Sequence, residues 1–316
     1  MRKVGSVRQR RHPQTAPLRS DVLVACSVTE EREGAPVKEP IKQELTFQIL
    51  DDLVLGVQRG RTNASTVLPM LSVNDIGPLV ELLLYVRSDR PLIPSLDRLP
   101  QFKRVLALHQ ALEPNRRGRP VYLDDERTGR SAGFLATSHR SQAGLPWDDF
   151  CLKARIAGGQ AGLDPTEARA LIGALIEIEE NVHLHSERVD DGIVGFSASP
   201  GRFEVVVGDS GIGVLQSLRS HPDYVALADT GTALRLALEN GHSRYGRNSG
   251  HGLGFNALFI GLAALNAELR FRSDDHALTI SGAGPSLVSA TTLQRPPVQG
   301  FVASVVCTPL QASLIH

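Results

Sequence analysis

GIVGFSASPGRFEVVVGDSGIG, from Gly192 to Gly213, reads as two β-rich runs around a turn, closed by a carboxylate and spaced glycines. Gly192 to Ser199 and Phe203 to Asp209 are the runs, and Pro200-Gly201 joins them as a hairpin turn would. The second strand therefore ends on Asp209. A carboxylate there can accept a hydrogen bond from an exocyclic amine such as that of adenine, while Gly211 and Gly213 let the backbone approach the base closely. Taken alone, the same residues also fit an ordinary glycine turn after a strand.

Upstream, Asp164-Pro165 places a capping residue before proline at the first helical position, and a periodic run continues to about Glu187. The spacing predicts a long helix. Glu177 and Asn181 stand four residues apart on it and so share one face. An asparagine amide oxygen can complete the octahedral shell of a magnesium ion otherwise held by phosphates and water. A carboxylate one turn away can orient and deprotonate an attacking hydroxyl. His183 and His185, two apart, point to different faces and make a poor metal pair.

Downstream, the pattern predicts a helix over Thr232 to Glu239, a polar glycine-rich stretch from Gly241 to Gly252, and an apolar helix from Leu253 to Leu265. Gly250-His251-Gly252-Leu253-Gly254 leads into that last helix, and side-chain-free backbone at a helix N-terminus offers N–H groups to a polyphosphate. Gly241 to Ser249 is flexible enough to close over a ligand, which would bring Arg244 and Arg247 to the terminal phosphate; they read equally well as solvated cations. The His251 ring can touch phosphate, though a bystander role fits it as well. Strand candidates Glu268 to Arg272, Leu278 to Ser281 and Val302 to Cys307 close the chain. Helices with hairpin-connected strands predict an α+β sandwich of one layer each.

Order and spacing combine these signals. Glu177-Ile-Glu-Glu-Asn181-Val-His-Leu-His185, Asp209-Ser-Gly-Ile-Gly213 and Gly250-His-Gly-Leu-Gly254 resemble the N, G1 and G2 boxes of the GHKL superfamily of histidine-kinase-like ATPases, with the lid just before the last. The resemblance spans about Cys151 to Pro309. It implies a Bergerat-type two-layer sandwich that binds ATP with Mg2+, with Asn181 on the magnesium, Asp209 on the adenine and Glu177 as general base. The glycines, Leu253, His251 and the two lid arginines complete the nucleotide site by the same likeness. One departure is Gly300-Phe301, where the family often has Gly-Thr, so a polar contact near the base is lost and recognition leans on Asp209 and ordered water. No Walker A or complete Rossmann fingerprint competes.

The preceding half is less distinctive. Residues 1–40 carry Arg2, Lys3, Arg8, Arg10, Arg11 and Arg19 and are rich in proline, as in a disordered basic arm. Residues 41–145 read as a smaller mixed α/β domain, with helices near Ile76 to Val86 and Gln101 to Leu112 and short strands at Leu53 to Val57 and Pro120 to Leu123. Asp124 to Pro146, with Gly129, Gly133, Gly144 and Pro146, reads as a linker or mobile surface loop ahead of the ATP-binding domain at 151–310.

Lys and Arg total 34 and are matched by 34 Asp and Glu, so no overall charge draws the chain to nucleic acid or anionic membrane. The longest apolar run, Leu253 to Leu265, is too short for a bilayer span of about 20 residues. Cys26, Cys151 and Cys307 have no metal-ligand spacing and read as free thiols of a cytoplasmic protein. The expected function is ATP hydrolysis or phosphorylation of a protein hydroxyl in signalling, with the N-terminal domain recognising a protein partner. Two alternatives stay open: a sensor-histidine-kinase-like protein acting on a separate acceptor, and a nucleotide-gated switch with negligible turnover. A homodimer is compatible with either.

Overall fold

The computed structural model describes residues 42–100, 102–137, 145–188, 190–239, 258–259 and 261–309, with only the backbone of His183. In chain order come β1 (Gln43–Glu44), α1 (Phe47–Gln58), α2 (Ala64–Val67), β2 (Leu71–Ser72), α3 (Ile76–Arg87), α4 (Lys103–Leu112), β3 (Val121–Asp125) and β4 (Arg130–Ala136). They are followed by α5 (Leu145–Gln160), α6 (Pro165–His185), β5 (Ile193–Ser199), β6 (Arg202–Asp209), α7 (Gly213–Arg219), α8 (Thr230–Leu238), β7 (Leu265–Ala283) and β8 (Thr291–Pro309). Strands β1 and β2 form a small parallel pair, and the other six form an antiparallel sheet in the order β3-β4-β5-β6-β8-β7.

The fold is mixed α/β, and period-two alternation along the sheet decides which helices cover which face. Phe203, Val205 and Val207 of β6, with Phe271 of β7 and Ala303 and Val305 of β8, turn to a core shared with α5, α6 and α8. Val206, Val302 and Ile193 point the other way, to a second core shared with α1, α3 and α4. The sheet thus carries helices on both faces, three layers rather than the two that the sequence suggested. Residues 41–145 differ correspondingly from a domain of their own: β3 and β4 extend the same sheet, and residues 41–316 fall in one compact unit.

Two further expectations change. Among the described residues, Asp124 to Ala136 belongs to a hairpin and Leu145 begins α5, where a linker or surface loop was expected. Gly129, at φ +62°, turns β3 into β4, and Thr128 donates its N–H to the Asp125 carbonyl. Leu53 to Val57 lies within α1, where Thr46 caps the helix and Leu50, Leu53 and Val54 bury one helical face. The three strand candidates near the C-terminus lie in two 19-residue strands, β7 and β8. Helical residues after the glycine loop reach 262 and Leu265 already begins β7, so the predicted Leu253 to Leu265 helix ends early.

The α6 helix matches its prediction at the N-terminus. Asp164 Oδ1 accepts the N–H groups of Thr166 and Glu167 at 2.6 and 2.9 Å, and Glu167 returns an acceptor to the Asp164 N–H at 2.9 Å. This capping box fixes where a 21-residue helix begins, and therefore which residues lie at its far end.

Charges are buried between the sheet and α1 and α3. Arg270 of β7 pairs with Asp51 and Glu81 at 2.8 Å, and Arg272, fully buried, lies 3.4 Å from Glu81. Arg295 of β8 adds a contact to Asp51 at 2.7 Å. Burial opposes the Arg270 charge, but Glu81 and Asp51 more than offset it and hold its pKa above the usual guanidinium value. Further along the face, Glu204 accepts the Ile76 and Gly77 N–H groups at 3.0 and 2.7 Å, anchoring the α3 N-terminus to β6. Burial, reinforced by nearby Asp75, pushes the Glu204 pKa up to about 7.

Candidate functional site

Asp209 ends β6 on the face that carries α6, and only 3% of it is exposed. Its Oδ1 accepts the Gly211 N–H at 2.8 Å, while Oδ2 has no hydrogen-bond partner among the described residues. Burial pushes its pKa up to about 7, against the lowering effect of the Gly211 N–H, and Asp191 adds a smaller upward push. A buried carboxylate with an uncommitted oxygen is the acceptor that an amine-bearing base needs.

The loop after Asp209 is seated against the end of α6. Ile212 donates its N–H to the Ser186 carbonyl at 2.9 Å. Gly211 fits there because it lacks a side chain: a Cβ would lie 2.7 Å from the Ser186 carbonyl carbon and closer still to its oxygen. The helix bearing Glu177 and Asn181 and the strand bearing Asp209 are thus joined at adjacent ends. Glu177 and Asn181 are both half-buried.

Gly213, at φ +75°, opens α7, where the left-handed backbone suits glycine. Its neighbour Val214 donates an N–H to Ser273 Oγ at 3.1 Å, and Ser273 donates in turn to the Gly300 carbonyl at 2.8 Å. Ser273 is fully buried on β7, paired in register with Phe301 of β8, which itself pairs with Asp209. The Ser273 hydroxyl therefore stands one strand further out than Phe301, at the level of Asp209. Sequence reasoning missed Ser273, since a lone serine in a strand carries no signal until β7 is aligned against β8. A cavity of about 780 Å3 borders this loop, lined by Gln58, Asp89, Arg188, Gly213, Ser273 and Gln299 among others; Glu177, Asn181 and Asp209 do not line it.

Arg244, Arg247, Gly250, His251, Gly252, Leu253 and Gly254 lie outside the described residues, as does the expected lid. The helical residues that follow are described. Leu258 and Leu262 are buried in the core shared with α6. At Gly261 a Cβ would meet Ala170 Cβ of α6 at 2.8 Å. The chain leaving the glycine-rich segment is therefore held against the same helix that carries Glu177 and Asn181.

Among the described residues no cluster of His, Cys, Asp and Glu has a metal-binding arrangement, and no helix is long and apolar enough to cross a membrane. Cys151 and Cys307 are free thiols, and burial pushes the pKa of each up to about 12. Comparison with models of protein families finds no match, and no curated protein matches the chain.

Proposed function

We propose that this chain binds ATP with a magnesium ion in the manner of the histidine-kinase-like ATPases, and that it passes the γ-phosphate to water or to a protein hydroxyl. The observation that carries the reading is the buried Asp209 carboxylate, held at a strand end by a loop that Ser186 ties to the end of α6. In this reading Asp209 Oδ2 accepts from the adenine amine, and Gly211 and Gly213 keep side chains away from the base. Asn181 would hold the magnesium, whose charge would offset that of the phosphates. Glu177, one turn earlier on α6, takes the proton of the attacking hydroxyl or water. Burial beneath the loop strengthens the adenine contact by excluding competing water.

Calorimetry on the full chain with ATP and magnesium tests the binding, and absence of uptake refutes it. Asp209→Asn should weaken ATP more than it weakens inorganic triphosphate; an unchanged preference removes the adenine contact. Glu177→Gln should keep ATP affinity while release or transfer of labelled γ-phosphate is lost, and equal turnover in the variant refutes its role as base. Wild-type protein that binds ATP but leaves the label on it would point instead to a nucleotide-gated switch.

A further inference from the structure

Helix α5 buries Phe150, Ala154, Ala157 and Gly158 against the sheet and α6. Its opposite face is apolar and open. Leu145 is 85% exposed, Leu152 45% and Ile156 51%, and exposed Gly159 continues the line. At about 100° per residue these four lie within an arc of roughly 60°, so they form one seam along the helix.

The charges beside the seam follow a pattern. Asp148 and Arg155, seven residues apart, fall on one flank, and Asp149 and Lys153 fall on the other. On each flank the acid lies toward the helix N-terminus and the base toward the C-terminus. Asp148 and Arg155 are exposed and have no ion-pair partner among the described residues. On the second flank Tyr122 donates to Asp149 at 2.8 Å, and Lys153 Nζ stands 4.2 Å above the Tyr122 ring.

We infer that this face of α5 docks against the same face of a second copy of the chain, the two helices running antiparallel about a two-fold axis close to Leu152. An operator that reverses helix direction keeps each flank beside its own copy and exchanges the two ends. Asp148 then meets Arg155 of the second copy and Asp149 meets Lys153 of the second copy, each twice per dimer. Leu152 packs on its counterpart, and Leu145 lies over Gly159 of the second copy, where no side chain obstructs it. A parallel arrangement would instead set like charges side by side, so the pattern selects both the partner and its direction. Two 16-residue helices, each about 24 Å long, form a small contact that suits a reversible dimer rather than a permanent one.

Analytical ultracentrifugation of the full chain tests this, with circular dichroism to verify folding. Wild-type protein should dimerise with a Kd of roughly tens of micromolar. Asp148→Arg and Arg155→Asp should each weaken association at least about tenfold, because each sets two like-charge contacts across the axis. An equimolar mixture of the two variants should associate to within about threefold of wild type, since in the mixed dimer both contacts on that flank are again of opposite sign. Leu152→Glu, at a solvent-facing position, should also abolish the dimer and serves if either reversal fails to fold. A wild type that stays monomeric at about 300 μM overturns the proposal. So does unchanged association of a folded variant, or a mixture that stays monomeric when both reversals have lost association.

Discussion

Replacing Gly300 by alanine should damage both the sheet and the site, by an amount that two features set. Its φ of +92° is a conformation that costs a side-chain-bearing residue about 1–2 kcal/mol. A Cβ there would lie 2.7 Å from the Asp209 carbonyl carbon and 2.7 Å from Ser210 Cα, and closer still to the Asp209 oxygen. These are backbone atoms, so relief requires β6 and β8 to part at the end that carries Asp209, adding about 1–3 kcal/mol. We expect a total near 3 kcal/mol, a large share of the roughly 5–15 kcal/mol that stabilises an ordinary domain. Gly201→Ala is the control: φ is +76° and a Cβ would meet nothing within 4 Å, so only the conformational cost of about 1 kcal/mol applies. Urea unfolding with linear extrapolation measures both. If the two variants fall within about 0.5 kcal/mol of each other, the close approach of β8 to Asp209 is refuted.

Glu81→Ala leaves Arg272 with no carboxylate and Arg270 with Asp51 alone, and should lower the unfolding free energy by about 3 kcal/mol; a thermal or urea melt showing under about 1 kcal/mol would mean that Asp51 and the carbonyls around Arg272 satisfy both guanidinia without it. The Glu204 carboxyl, raised from 4.5 to about 7, binds its proton more tightly folded than unfolded. Its stabilising contribution is therefore complete below about pH 4.5 and is lost as pH rises to about 7, a change of about 3 kcal/mol that Glu204→Gln should remove from the pH profile of stability. ATP affinity should follow the Asp209 carboxylate in the opposite sense. With a free-protein pKa of about 7, protonation should weaken binding about tenfold at pH 6 relative to pH 8, and calorimetry on Asp209→Asn should find that dependence gone.

The elements legible in the sequence were those whose signals are local. Asp164-Pro165 and the 3.6-residue period set α6, and Pro200-Gly201 between two alternating runs set the β5–β6 hairpin with Asp209 at its end. The domain boundary failed because a glycine-bearing polar stretch has the same composition whether it links domains or turns a hairpin. Only pairing with β5 makes β4 part of the larger sheet, and that partner lies some 60 residues further on. The back helical layer was illegible for a related reason. Arg270 and Arg272 alternate with Leu269 and Phe271 as solvent-facing cations would in a one-sided sheet, and nothing local reveals that Glu81 and Asp51 await them. Ser273 belongs to the same class, a residue whose importance comes from register alone.

Strand β7 also limits how far the protein can be dissected. Its even-numbered arginines are solvated by carboxylates from the first quarter of the described chain, and its odd-numbered Phe271 and Ser273 serve the core and loop around Asp209. Amputating residues 42–112 would strip the salt partners from two guanidinia and bare a sheet face of valines and isoleucine at once. The half that resembles an ATPase is consequently not a transplantable module; whatever acts on α1 or α3 acts on the backbone of the strand that holds the loop in place.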